Sequence, residues 1–399
     1  MVCGSVMSVR NANRESIGNT ATGKGLLCAI TALFWFAQYV YVPFLTPYLF
    51  TLSLTATAVG IVVGAYGITQ LVLRIPLGVL VGIVRNHRFF ILTGSLLAGV
   101  SSIGMMIFPS PVLLCVANGL SGVASSTWIS FTVLYPSYYP ETESTRAIGI
   151  INVFANIGRL SAFVVGGLLI AKVGIQGLFV VSLISGIAGT ALSFFIDQKK
   201  EPVKADISVG GLVGVMKEGR LLFASAMAAL TYLILFATVF SFTTSTAKNL
   251  GATGFEIALC SVLFSGAGIA GSYLAGSEAV RTVGERNLLF LSFLMIGFYC
   301  AGIAFSPSIV PYYPLQIVAG LANGLIGSSL MAYAVRRVDR ERKSTAMGFY
   351  QSVYCLGITF GPIVMGLLVD HSSVRVAFIV MAVVAAGCAT AIFPLHRSG

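Results

Sequence analysis

The sequence predicts an all-α polytopic membrane protein: twelve transmembrane helices in two parallel-related six-helix halves. Three observations carry this reading. Hydrophobic residues make up 57% of the 399 residues and charged residues only 9%, where a soluble domain carries about 25% charged. Apolar runs long enough to span a bilayer recur along the whole chain. Basic residues gather in alternate connections between those runs.

The runs fall at residues 25–49, 57–81, 89–108, 111–134, 147–171, 175–196, 221–246, 254–277, 288–305, 309–334, 346–369 and 374–394. Each is predicted to be one span. With the N-terminus in the cytoplasm, 19 of the 24 Lys and Arg lie on the cytoplasmic side; Lys172, Lys248 and Arg375 lie outside, and Arg74 and Arg159 lie within spans. The positive-inside rule therefore places both termini in the cytoplasm, with the protein in a plasma or inner membrane. The net charge of +11 is then a property of basic loops facing anionic lipid, and no nucleic-acid partner is called for. Residues 1–24 are polar, lack a signal-peptide core, and are expected to form a cytoplasmic tail. Residues 25–196 form the first half and 221–396 the second. Residues 197–220 are a cytoplasmic linker, in which Ile207–Met216 is apolar enough to lie along the membrane surface.

The remaining composition argues mostly by exclusion. The seven cysteines are scattered without a CxxC pair, so packing is expected of them and no metal or disulfide. Gly266-x-Gly268-x-x-Gly271 has dinucleotide spacing, but it lies inside an apolar run with no preceding strand. Gly18-x4-Gly23-Lys24 lacks the Ser or Thr of a phosphate loop, Gly25 standing in its place. No cofactor or nucleotide is expected. The 44 glycines suit close helix approach, with small-xxx-small spacing at Gly60/Gly64, Gly78/Gly82 and Gly320/Gly324.

An internal repeat divides the chain. Ala117-Asn118-Gly119-Leu120 recurs as Ala322-Asn323-Gly324-Leu325, and Ser144-Thr145 recurs as Ser344-Thr345. Gly149, Gly158 and Gly167 correspond at one offset to Gly348, Gly357 and Gly366. The repeated spans run in the same direction, which implies an axis along the membrane normal.

With twelve spans, two parallel halves and a long central loop, residues 25–396 resemble the major facilitator superfamily. Its loop motif after the second span, G-x-x-x-D-R-x-G-R-R, keeps Gly78, Arg85 and Arg88 here, with Gly82 at the Asp position. After the eighth span Gly276, Arg281, Gly284 and Arg286 remain, with Val280 at the acid's place. The family's antiporter motif, G-x8-G-x3-G-P-x2-G-G, keeps its spacing as Gly149, Gly158, Ala162, Phe163, Gly166 and Gly167. The eleventh span carries the Gly-Pro pair as Gly361-Pro362, after Gly348 and Gly357. The resemblance implies gating roles for these motif positions and transport by alternating access.

Candidate substrate residues come from polar groups inside spans. Asn152, Asn156 and Arg159 are spaced i, i+4, i+7 and share one helix face. Arg159 lies about 18 Å from either end of its run, too deep to reach water along its own side chain. A charge at that depth costs about 2.5 kcal/mol or more, and usually marks a cavity or pathway. The repeat sets Ile358 opposite Arg159, so the charge belongs to one half only. Arg74 is nearer a span end and suits a gate or brace. Asn118 and Asn323 are matched polar positions in spans that line the cavity in the family. Gln38 with Tyr41, Tyr232 with Phe236, and Gln351 with Tyr354 share faces at i, i+3 or i, i+4. Each aromatic, Trp35 and Trp128 included, suits packing as well as binding.

No acid stands at the middle of any span. Glu256, Glu278 and Asp370 are at span ends, and His87, His371 and His396 are in loops or at ends. Neither a buried proton carrier nor a carboxylate for cationic solutes is visible. The expectation is a monomeric, non-enzymatic secondary or facilitative transporter of a small organic solute, anionic or polar, with the bilayer as its other partner. The alternative is a drug or metabolite efflux antiporter of the same superfamily. A non-transporting sensor or a membrane enzyme is remote, since no catalytic group set lies within the spans.

Overall fold

A computed structural model of the chain describes residues 22–84, 86–107, 110–140, 143–198, 218–277, 283–336, 338 and 342–392. The proposed surface segment Ile207–Met216, and Arg85, Glu278, Val280 and Arg281, lie outside them. All regular structure among the described residues is helical. The helices are α1 (Thr22–Thr51), α2 (Ala56–Val84), α3 (His87–Ile107) and α4 (Pro111–Ser137). Residues 144–193 give α5 (144–173) and α6 (175–193), separated at Gly174 (φ 66, ψ −176). The second half has α7 (Gly219–Asn249), α8 (Gly254–Ala275), α9 (Glu285–Phe305), α10 (Tyr312–Val335), α11 (Lys343–His371) and α12 (Val374–Ala391).

The ends follow ordinary helix chemistry. Ser110 caps α4 ahead of Pro111, and Ser373 caps α12. Thr253 and Glu256 form a reciprocal capping box on α8. Gly174, Gly251 before α8 and Gly284 at the start of α9 all take positive φ, which a residue without Cβ adopts freely.

Three spans are interrupted where hydropathy reads as continuous. α1 breaks at Val40–Tyr41, just before Pro43 opens its second segment, Val42–Thr51. α4 breaks at Thr127. In α7, a π-helical turn at Thr238–Phe242 separates two α-helical pieces. Such single turns often occur where a helix serves a site.

Chain direction can be read from close approaches. Gly158 and Gly166 of α5 pack on Ala32 and Val40 of α1, so these helices are parallel. Ser182 and Ser185 of α6 donate to the carbonyls of Ala37 and Leu33, 2.7 and 3.0 Å, in the reverse order. The chain therefore turns back at Gly174. Gly357 and Gly361 of α11 pack on Ala229 and Leu233 of α7, also in parallel. Repeat-related glycines Gly158 and Gly357 thus meet repeat-related helices, α1 and α7.

Two seams join the halves. In the first, Gly60, Gly64 and Gly67 of α2 pack against Pro362, Thr359 and Ile358 of α11. Asp370, near the end of α11, accepts from the first amides of α2, Ala56 N at 3.0 Å and Thr57 N at 2.7 Å. A carboxylate at a helix N-terminus is favourable through both its hydrogen bonds and the helix dipole. In the second seam, Gly167 of α5 meets Ala258 of α8, and Gly254 meets Ile170. These contacts lie toward the end of the bundle opposite residues 198 and 218, where the central linker departs.

A central cavity between the two halves

A cavity of about 250 Å³ lies between the halves, lined by residues of α1, α2, α4 and α5 on one side and α7, α10 and α11 on the other. At about 30 Å³ per water, it has the size of a small organic molecule rather than a peptide or lipid. Arg159, Arg74, Tyr232, Asn323, Gln351 and Tyr354 all face it, as do Trp35, Trp128 and Ile358. The repeat-matched pair Arg159 and Ile358 therefore line one space from opposite halves.

Arg159 projects from α5 over the indole of Trp35, with its guanidinium carbon 4.0 Å from the ring centroid and 5.3 Å from that of Tyr39. Desolvated cation–π contacts contribute about 2 kcal/mol, which offsets part of the cost of burying the charge. No carboxylate lines the cavity, and the first four helices contain no Asp or Glu at all. Arg159 Nε is buried without a hydrogen-bond partner. The rings of Trp35 and Tyr39 cover the guanidinium face.

Arg74 lies deeper than the hydropathy run suggests. α2 continues to Val84, so Arg74 is ten residues, about 15 Å, from the helix end. Its Nη1 donates to Gln70 Oε1 at 3.4 Å and lies 3.6 Å from Cys355 Sγ; Tyr354's ring is 5.6 Å away. The Gln70 amide nitrogen is buried without a partner.

The second half supplies an aromatic wall. Tyr232 stacks at 4.6 Å on Tyr354, Phe236 lies 6.3 Å from Tyr232, and Phe240 lies 4.9 Å from Phe236. Phe240 belongs to the π turn. Trp35 packs edge-on against Trp128 at 5.3 Å, closing the opposite wall.

Other predicted site residues have different surroundings. Gln38 is 2% exposed and held within the first half. Its Nε2 donates to Ser121 O at 3.0 Å and Ser125 Oγ at 3.1 Å, and its Oε1 accepts from Ser121 Oγ. Asn118 donates to the carbonyls of Val62 and Val63, 2.8 and 3.2 Å, tying α4 to α2. Both, with Tyr41, border an adjoining space of about 50 Å³ that shares Tyr39, Tyr66, Phe236 and Phe240 with the central cavity. Tyr41 is buried against Phe179 at 5.2 Å. Asn156 and Asn152 follow Arg159 along the same face of α5 toward the linker end. Asn152 is exposed and donates to Ile148 O of its own helix at 2.9 Å.

The motif glycines divide likewise. Gly158, Gly357 and Gly361 pack against neighbouring backbone, whereas no atom lies within 4 Å of a Cβ on Gly149 or Gly348. Pro362 presents its carbonyl to Gly60. Gly78 is buried in α2. The backbone amide of Arg88, at the start of α3, donates to Gln198 Oε1 at 3.0 Å, and its guanidinium reaches over Phe194. Sequence reasoning did not single out Tyr39, Tyr66, Gln70, Ser125 or Phe240, which also line the cavity. Of these only Gln70 had a local signal, one helical turn before Arg74.

Comparison with known proteins agrees with this architecture. An uncharacterised MFS-type transporter of Methanocaldococcus jannaschii is 23% identical over 340 residues, 82% of this chain and 86% of that protein. The multidrug resistance protein Stp of Mycobacterium tuberculosis is 27% identical over 179 residues, 44% of this chain and 31% of that protein. Among solved structures, the nucleoside transporter NupG aligns with a TM-score of 0.78 at 16% identity, covering 94% of this chain and all of that one. A bacterial homologue of the human lysosomal transporter Spinster, inward-facing and occupied, aligns with a TM-score of 0.76 at 14% identity, covering 95% and 97%. The sequence profile of the Major Facilitator Superfamily matches residues 27–247 and 221–399. The chain belongs to the Major Facilitator Superfamily.

Proposed function

We propose that this protein is a secondary or facilitative transporter of a small organic anion, carried across the membrane by alternating access through the central cavity. The observation that supports this most is Arg159: a deep guanidinium at the cavity wall, with an unpartnered Nε and no acid beside it. A charge-assisted, side-on pair with a carboxylate or phosphate would satisfy it. Residues 25–196 and 221–396 act as the two rocking halves, with the 197–220 linker and both termini in the cytoplasm of a cell membrane. The distribution of basic residues supports that orientation. With the linker end cytoplasmic, the far-end seams correspond to an inward-facing state, and Asn156 and Asn152 mark the way in. The protein acts as a monomer, and no catalytic role is assigned.

Flux in proteoliposomes tests this reading. Benzoate should be transported and its amide, benzamide, should not, and Arg159→Gln should abolish benzoate flux. Benzamide flux that survives Arg159→Gln would contradict it. A second reading, efflux of drug-like compounds, is favoured by the aromatic wall and by the likeness to Stp. It predicts accumulation only in inverted vesicles.

A further inference from the structure

The hydrogen-bonding inventory of the cavity narrows the anion. Three lining side-chain nitrogens are buried without a partner: Trp35 Nε1, Gln70 Nε2 and Arg159 Nε. All three are N–H donors, and no lining acceptor is orphaned in the same way among the described residues. An unpaired buried donor costs about 1–3 kcal/mol, so three on residues that line one cavity favour an acceptor-rich occupant.

Together with Arg74, these donors fall into two pairs. Trp35 and Arg159 are in ring contact at 4.0 Å. Gln70 and Arg74 are one helical turn apart and hydrogen-bonded at 3.4 Å. Each pair joins one guanidinium to one neutral N–H that lacks a partner. A guanidinium stays protonated at any physiological pH. With no lining carboxylate, the cavity holds two positive charges and nothing to neutralise them. The second half adds aromatic rings and the amides of Asn323 and Gln351, but no charge.

Building on the anion reading above, we propose that the ligand is a small planar dianion. One anionic group sits at Arg159 and Trp35, the other at Arg74 and Gln70. Its carbon skeleton lies against Tyr232, Phe236 and Tyr354. A single carboxylate would leave one guanidinium unpaired. A nucleoside without phosphate would leave both.

Equilibrium binding on the purified full chain tests this, with probes matched in shape. Benzoate carries one carboxylate, and phthalate, isophthalate and terephthalate carry two at three separations; benzamide carries none. At least one dicarboxylate should bind about tenfold or more tighter than benzoate, the worth of one added charge-assisted pair. Arg74→Gln should erase that preference. Arg159→Gln should weaken benzoate and dicarboxylates together. If Arg74→Gln does not fold, Arg74→Lys and Gln70→Leu should each shrink the preference. No dicarboxylate surpassing benzoate, or a preference that survives these changes, overturns the dianion assignment. In that case, benzoate binding that still depends on Arg159 leaves the anion reading standing. Equal binding of benzamide and benzoate, unmoved by Arg159→Gln, overturns both.

Discussion

Arg159 of α5 and Ile358 of α11 occupy matched positions in the repeat and face the same cavity. The residues just before them, Gly158 and Gly357, are also matched, and both pack on the corresponding first helix of their own half. The two halves therefore agree where helix meets helix and differ where they line the cavity. Packing requires small residues at close approaches whatever the ligand. Recognition requires charge where the ligand sits, and one half carries it. The matched asparagines repeat the lesson: Asn118 is bound to α2 carbonyls within its own half, while Asn323 faces the cavity.

The packing side of this comparison should give the largest effects. A Cβ on Gly158 or Gly357 would run into the backbone of Ala32 or Ala229. Gly158→Ala and Gly357→Ala should each cost about 1–3 kcal/mol. Gly149→Ala and Gly348→Ala meet open space and should be neutral or stabilising by up to about 1 kcal/mol, since Ala is the better helix former. Melting of detergent-solubilised protein separates the two classes. If all four behave alike, the division of the motif glycines is wrong.

The asparagines should split in a different readout. Asn118→Leu removes two hydrogen bonds between helices and should lower stability by about 1 kcal/mol in total. It should leave benzoate affinity unchanged. Asn323→Leu should do the reverse, weakening binding severalfold while melting stays within a degree or two. Equal loss of affinity in both would restore Asn118 to the binding site.

Much of this was legible in the sequence, for physical reasons. A span must be apolar over a bilayer's thickness, so all twelve runs correspond to helices. Arg159 stood out because a charge at that depth demands an explanation. The breaks at Val40–Tyr41, Thr127 and Thr238–Phe242 were not legible, since hydropathy is blind to a local change in backbone hydrogen bonding. Nor was the aromatic lining. Tyr39, Tyr66 and Phe240 look like packing residues until helix rotation decides what they face. Gln38 and Asn323 are equally polar in sequence, and only the presence of Ser121 and Ser125 beside Gln38 tells them apart.

The smallest effect is expected at the far-end seam. Asp370→Asn keeps the shape but removes the charge that caps α2. Losing a charge at an exposed helix end costs about 0.3–1 kcal/mol, enough to raise the far-end-open population about two- to fivefold. Spin labels at Thr51 and Ser372 should report a larger fraction of long distances, while benzoate affinity changes little. An unchanged distance distribution would mean that the glycine contacts of α2 and α11 hold the seam unaided.

The central claim is that the charge in one half recognises the ligand rather than bracing the helices. Melting temperature and benzoate affinity, measured on the same samples of wild type, Arg159→Lys and Arg159→Gln, test it most directly. Lys keeps the charge without the planar fork, and Gln keeps neither. The account predicts near-constant melting temperatures, affinity reduced in Arg159→Lys, and affinity reduced further, by about tenfold or more, in Arg159→Gln. Lowered melting temperatures with unchanged affinity in Arg159→Gln would contradict it and make Arg159 a brace.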